Sequence, residues 1–171
     1  MDANSQEGLL ARIAELESRN AIRDLVSDYC HGFDKRDYGR FLAIWWEDCV
    51  WDIGPPFGRF EGHDGIHAAI YDVLWPAWLE THHLTTNLKI EFGDAHNASS
   101  VCDVDCVGTL NDDPQCQIVG ASYYDQHQAR QGEWRILERK VQIHYFNPVP
   151  GAILSSPGAD VPSTAPHRTK Q

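Results

Sequence analysis

The 171-residue chain is predicted to fold as one α+β domain, with helices first and an antiparallel meander of strands after them. Three observations predict it. Apolar residues recur at helical spacing up to about residue 80 and at a period of two beyond it. The later runs are joined by short polar connections, Gly93-Asp94, Asn111-Asp112-Asp113-Pro114 and Arg130-Gln131-Gly132, of the kind that close hairpins. A length of 171 residues with 42% apolar and 23% charged side chains suits a single domain that buries its own core.

The elements follow in order. Leu9, Leu10, Ile13 and Leu16, then Ile22, Leu25, Val26, Tyr29 and Phe33, trace one amphipathic helical region from about residue 8. Ser18 to Asn20 is the place for any bend, and Gly32 suits the terminus, which leaves Asp34 at or just past the last turn. Tyr38, Phe41, Leu42 and Trp45 keep the helical period and predict a second helix over 37–46. Cys49 to Ile53 reads as a short strand closed by Gly54-Pro55-Pro56. Ile66, Ile70, Val73 and Leu74 predict a third helix stopped by Pro76. Four strands are then expected at Thr81 to Phe92, Ser99 to Leu110, Gln115 to Gln128 and Trp134 to Phe146. The domain is accordingly placed at 1–146. The segment 147–171 holds five of the nine prolines and is expected to be an irregular or disordered tail.

The formal charge is −11, from 14 basic against 25 acidic residues, so phosphate backbones and anionic membranes are excluded as partners. No apolar run is long enough to span a bilayer, and the amino terminus carries no secretory pattern, so a cytoplasmic location is expected. Five cysteines without a CxxC pair argue against a disulfide framework and a thiolate zinc site. Cys102 and Cys106 would share one sheet face as core residues. His63 and His67 stand one helical turn apart, but no third ligand keeps a fixed spacing to them, and no metal site is predicted. Glycine-rich phosphate loops, nucleophile elbows and internal repeats are absent.

The remaining chemistry rests on His, Asp, Tyr and Arg. Arg139 shares strand parity with Leu137, Val141, Ile143 and Tyr145, so its guanidinium points inward and needs a ligand or a carboxylate; Asp103 and Asp105 are the carboxylates considered. His82 and His83 must face opposite ways. Parity with Leu88, Ile90 and Phe92 puts His82 inside, unless a bulge within Leu84 to Asn87 reverses the pair. Tyr29 and Asp34, five residues apart at the end of an apolar helix face, can look into one cavity. Trp45, Trp46, Trp51, Trp75 and Trp78 crowd ahead of the sheet, as core or as the wall of a pocket for a flat, carbon-rich ligand.

The segments Ile22 to Arg36 (IRDLVSDYCHGFDKR), Ile44 to Asp48 (IWWED), Val73 to Pro76 (VLWP) and Glu80 to Phe92 (ETHHLTTNLKIEF), followed by Gly132-Glu133-Trp134 and Tyr145-Phe146, carry a resemblance over about residues 20–150. In order and spacing they resemble the hexachlorocyclohexane dehydrochlorinases, within the SnoaL-like branch of the nuclear transport factor 2-like superfamily. Scytalone dehydratase and bile-acid 7α-dehydratase are similar at greater distance. The resemblance implies a cone-shaped curved sheet, mixed or antiparallel, with helices closing a deep pocket, and a homotrimer. It implies His83 as general base, Asp34 as its orienting carboxylate and Arg139 as a pocket arginine, with no cofactor.

Two positions depart from the dehydrochlorinase pattern: Tyr29 stands where a lysine is expected and Thr81 where a cysteine is. On that ground the expected reaction is a lyase reaction on a small, hydrophobic, aromatic and oxygenated substrate. Either water or a small aldehyde would be lost, with Tyr29 and Arg139 holding the developing oxyanion and Trp45, Trp75, Thr81 and Tyr145 contacting the substrate. Dehydrochlorination, a ketosteroid-isomerase-like proton shuttle and a non-enzymatic binding module are the alternatives.

Overall fold

The computed structural model describes residues 5–112 and 115–149. One long helix, α1 (Gln6–Asp34), opens the chain; the Ser5 hydroxyl caps it by accepting from the Gly8 amide. It is continuous through Ser18 to Asn20. Its apolar face is buried only from Ile22 onward, whereas Leu9, Leu10, Ile13 and Leu16 stay exposed. Gly32 is inside the helix and does not end it. A Cβ there would lie 2.8 Å from the Phe41 amide nitrogen, so glycine is what lets α2 (Tyr38–Ala43) pack against α1. The chain reverses instead at Arg36, whose φ is 54°.

The second helix is shorter than 37–46. Trp45 pairs with Ile136, and the Ile136 amide donates to the Ile44 carbonyl, so Trp45 and Trp46 already belong to strand β1 (Trp45–Gly54). A four-residue strand, β2 (Gly58–Glu61), folds back on β1 and was too short to carry a period. Helix α3 (Gly62–Ala68) runs on through a π-helical stretch, Ala69–Leu74, and a last turn, α4 (Trp75–Ala77), so Pro76 sits in the final turn. Strands β3 (Trp78–Phe92), β4 (Asn97–Leu110), β5 (Cys116–Arg130) and β6 (Glu133–Val149) complete the chain. Strand β6 therefore carries 147–149, placed in the tail above, while 150–171 lie outside the described residues.

The six strands form one mixed sheet in the order β2-β1-β6-β5-β4-β3, with β1 and β6 parallel and all other pairs antiparallel. Its inner face packs on α1, α2 and α3 through a core that includes Phe41, Trp45, Trp51, Ile66, Ile70 and Ile136. Cys102 and Cys106 both face this side, buried, and all five cysteines are unpaired. No helix among the described residues is long and apolar enough to cross a membrane.

Candidate active site

Three bulges decide which side chains enter the cavity. In β3 the register slips between Thr86 and Lys89, where Asn87 takes a left-handed φ of 56°. Before the slip Thr81, His83 and Thr85 face inward; after it Leu88, Ile90 and Phe92 do. The bulge thus reverses simple parity and brings His83, not His82, inside. In β6 the register slips at His144, between the pairs Gly120 with Tyr145 and Ala121 with Ile143. Tyr145 is thereby turned to the outer face, where its ring covers Gly120 and its hydroxyl donates to Asp105 at 2.6 Å. Phe146 takes the place in the cavity wall that parity assigned to Tyr145. A third slip, between Gln126 and His127 on the β5 side, puts Ile136 inside with Arg139 and leaves Leu137 off that face.

Asp34, the last residue of α1, meets His83 across the gap between helix and sheet. Its Oδ1 accepts from His83 Nδ1 at 2.6 Å and from the Thr81 hydroxyl at 2.8 Å, and its Oδ2 accepts from the His83 amide at 2.9 Å. Both side chains are nearly enclosed. Burial alone would raise the Asp34 carboxyl, but the hydrogen bond and charge of His83, its amide and Thr81 hold it below the usual carboxylate range. A carboxylate on Nδ1 fixes that nitrogen as the donor and leaves Nε2, which has no hydrogen-bond partner among the described residues, as the basic nitrogen. The rings of Phe33 and Tyr29 pack edge-on against the imidazole, with centroids 5.1 and 5.8 Å away.

His83 stands in the wall of an open cavity of about 80 Å³. Tyr29, Phe33, Trp51, Phe57, Trp78, Tyr123 and Phe146 supply its aromatic lining, and Ile53, Val104, Val119, Val141 and Ile143 much of the aliphatic part. Thr81 is part of this wall. Trp45 and Trp75 are not. Trp45 is in the core against Trp51 and Phe41, because residues 45–46 start a strand, and Trp75 packs against Tyr38, Tyr71 and the Arg36 guanidinium. Trp51 and Trp78 line the cavity in their stead.

Arg139 points inward but does not reach the cavity. It is fully buried, and its Nε and Nη2 donate to both carboxylate oxygens of Asp125 at 2.8 and 2.7 Å. Asp125 is its direct cross-strand neighbour, whereas Asp103 and Asp105 lie on the outer face. The guanidinium carbon sits 4.2 Å from the ring centroids of both Tyr29 and Tyr123, so the two phenols separate it from the substrate space. In this geometry the Arg139 guanidinium is held by Asp125 behind the two phenols, where it does not line the cavity.

Asp125, His127 and Tyr123 escaped the sequence analysis although the signal was available. They alternate on β5 with Ala121 and Val119, and a carboxylate and an imidazole on an inward parity demand the same explanation as Arg139. His127 is buried and accepts or donates only at Nε2, to the Ser100 hydroxyl at 2.8 Å. Burial pushes its imidazole down to about 4; Asp125 opposes this and the Arg139 charge adds to it. A histidine depressed in the fold titrates above that pH when unfolded, so its stabilisation is complete above about pH 6.5 and is lost as the pH falls toward 4. The loss is expected to reach about 3 kcal/mol, read as a fall in urea-unfolding free energy between pH 7 and pH 4 that is smaller in His127→Gln.

His63 bonds the Trp45 carbonyl through Nε2, and His67 stacks with Tyr38 and Tyr71. Among the described residues no cluster of His, Cys, Asp and Glu could hold a metal ion.

With this geometry in place, comparison with known proteins is decisive for the family. A model of the SnoaL-like domain matches residues 14–140. The chain belongs to the SnoaL-like domain family. Hexachlorocyclohexane dehydrochlorinase 1 of Sphingobium indicum is 37% identical to this SnoaL-like protein over 150 residues, 88% of this chain and 97% of that one. The crystal structure of LinA aligns with a TM-score of 0.81 at 35% identity, covering 85% of this chain and 99% of that chain. A putative scytalone dehydratase from Novosphingobium aromaticivorans aligns with a TM-score of 0.73 at 20% identity over 82% and 93% of the two chains, which shows a common fold alone.

Proposed function

We propose that this SnoaL-like protein is a lyase that carries out base-promoted 1,2-elimination on a hydrophobic ring substrate. The observation that carries the reading is the His83–Asp34 dyad, set in the wall of a cavity that is otherwise almost entirely apolar and aromatic. His83 Nε2 takes a proton from carbon, the C–H electrons form the new double bond, and a leaving group departs from the neighbouring carbon with its own electron pair. Asp34 holds the imidazole in the reactive tautomer and stabilises the imidazolium as it forms. These steps use side chains alone.

The leaving group proposed is chloride. Two similar proteins are named dehydrochlorinases, and a chlorinated ring suits the apolar lining. The phenols add a chemical reason. Burial raises the Tyr29 hydroxyl well above its ordinary pKa, with Arg139 opposing, and raises Tyr123 likewise. Such phenols are poor proton donors. Chloride leaves as the anion and needs no proton, whereas hydroxide does. This changes the weight given to Tyr29, whose presence in place of a lysine first pointed to an oxygenated substrate. Loss of water remains the second reading, favoured by the two hydroxyls that Tyr29 and Tyr123 bring to the cavity wall.

A mass-spectrometric panel of polychlorinated cyclohexanes and aromatic alcohols, with chloride release followed in parallel, separates the two. Release of chloride with formation of the alkene from gamma-hexachlorocyclohexane is expected. Turnover confined to the alcohols, with loss of water, would establish the second reading.

A further inference from the structure

We propose that the first turns of α1, Gln6 to Asn20, pair with the same segment of a second copy of this chain as a parallel, two-stranded coiled coil. The segment stands off the domain. Residues 9–17 are all exposed, Leu9, Leu10, Ile13 and Leu16 among them, and the match to the family model begins only at residue 14. These apolar residues do not continue the core stripe of the same helix. At 3.6 residues per turn they project from the side nearly opposite to Ile22, Leu25, Val26, Tyr29 and Phe33, which face the domain. The chain's own sheet therefore does not cover them, and a second helix can approach without meeting it.

Spacing and side-chain type point to the occupant. Leu9, Ile13, Leu16 and Asn20 follow one another at alternating steps of four and three, the d-a-d-a seam of a heptad repeat. Leucine at d with β-branched isoleucine at a favours two strands, and Asn20 at the next a position meets its own counterpart only when the strands are parallel and in register. Leu10, at e, widens the seam. Charge sets the direction. Arg12 at g and Glu17 at e, both exposed, flank the seam five residues apart, so in a parallel pair each Arg12 meets the partner's Glu17. An antiparallel pair would set the two Arg12 side chains against each other and leave Glu17 beside the partner's Leu10. A helix this short is marginal in isolation, but the rest of α1 holds it formed, so pairing needs no nucleation. The contact is small, and the association is expected to be weak and concentration-dependent.

The test uses the full chain and no turnover. Gln6→Cys and Asn20→Cys, both at a positions, are made separately and oxidised with glutathione disulfide; the wild type, whose own cysteines are buried or half-buried, is the control. Each variant alone is expected to give a disulfide-linked dimer, and a mixture of the two should give no product joining residue 6 to residue 20. Sedimentation velocity at rising concentration should show an association step in the wild type that Ile13→Asp lacks at an unchanged unfolding temperature, since Ile13 is exposed in the single chain. Arg12→Glu should weaken that step about tenfold, and Glu17→Arg added to it should restore it. Association through any other surface is common to all variants and cancels in the comparison. Crosslinks that form only in the mixture would make the pairing antiparallel and overturn the proposal. So would a step equally strong in Ile13→Asp, or the absence of any crosslink. A lowered unfolding temperature of Ile13→Asp without crosslinking in the cysteine variants would overturn it in favour of residues 150–171 of the same chain as the occupant.

Discussion

Replacing His83 by alanine is expected to lower kcat by about a hundredfold to ten-thousandfold while the protein stays folded. Among the described residues the imidazole is the one base in the wall of the cavity whose acceptor nitrogen is left unbonded; the other lining groups are aromatic rings, aliphatic chains, hydroxyls and the Cys106 thiol, which burial holds protonated, and they cannot replace it. Asp34→Asn should come close to the same loss by a different route. An amide can present its NH₂ to Nδ1, which would shift the imidazole proton to Nε2 and block the basic position, and it removes the negative charge that offsets the imidazolium. The two variants together should cost little more than the worse of them, because they act as one unit. Circular dichroism and the unfolding temperature check that the fold survives, and activity retained by His83→Ala would show that the base lies elsewhere.

The second large effect is on stability. Asp125→Ala leaves the Arg139 guanidinium fully buried with neither its Nε nor its Nη2 bond, and breaking a buried pair in this way costs about 3–5 kcal/mol. The damage should spread to the site, since Arg139 is packed between Tyr29 and Tyr123 and these rings stand against His83 and the cavity. Removing both charges in Asp125→Leu with Arg139→Met is expected to restore most of the stability, because the desolvation penalty disappears along with the pair. Urea unfolding of the single and double variants measures both effects. A single variant as stable as the wild type would mean that the pair contributes nothing to holding the phenols.

Most of the architecture was legible because periodicity reports burial directly. The apolar face of α1 and the alternation along β3 to β6 gave those elements with bounds close to the observed ones. Residues 45–46 were not legible, since two tryptophans satisfy a helical period as well as the start of a strand, and only pairing with β6, some ninety residues away, decides between them. The side-chain directions within strands hinged on bulges. Asn87 made His83 the inward histidine, and His144 exchanged Tyr145 for Phe146. A bulge is a single extra residue with no fixed sequence signature when it is not glycine, so parity left the two histidines open and placed Tyr145 inward. For Arg139 the inward direction was legible from its neighbours. Its partner was not, because the aspartates considered on β4 face outward and Asp125 lies on β5.

The deuterium isotope effect on kcat/KM, measured with whichever compound of the panel turns over fastest and labelled at the carbon that loses its proton, tests base-promoted elimination most directly. A clear primary effect is predicted for the wild-type protein, with no loss of deuterium from substrate recovered after incubation with His83→Ala. Equal rates for labelled and unlabelled compound, with the label retained in the product, would contradict proton abstraction from carbon as the work of this site.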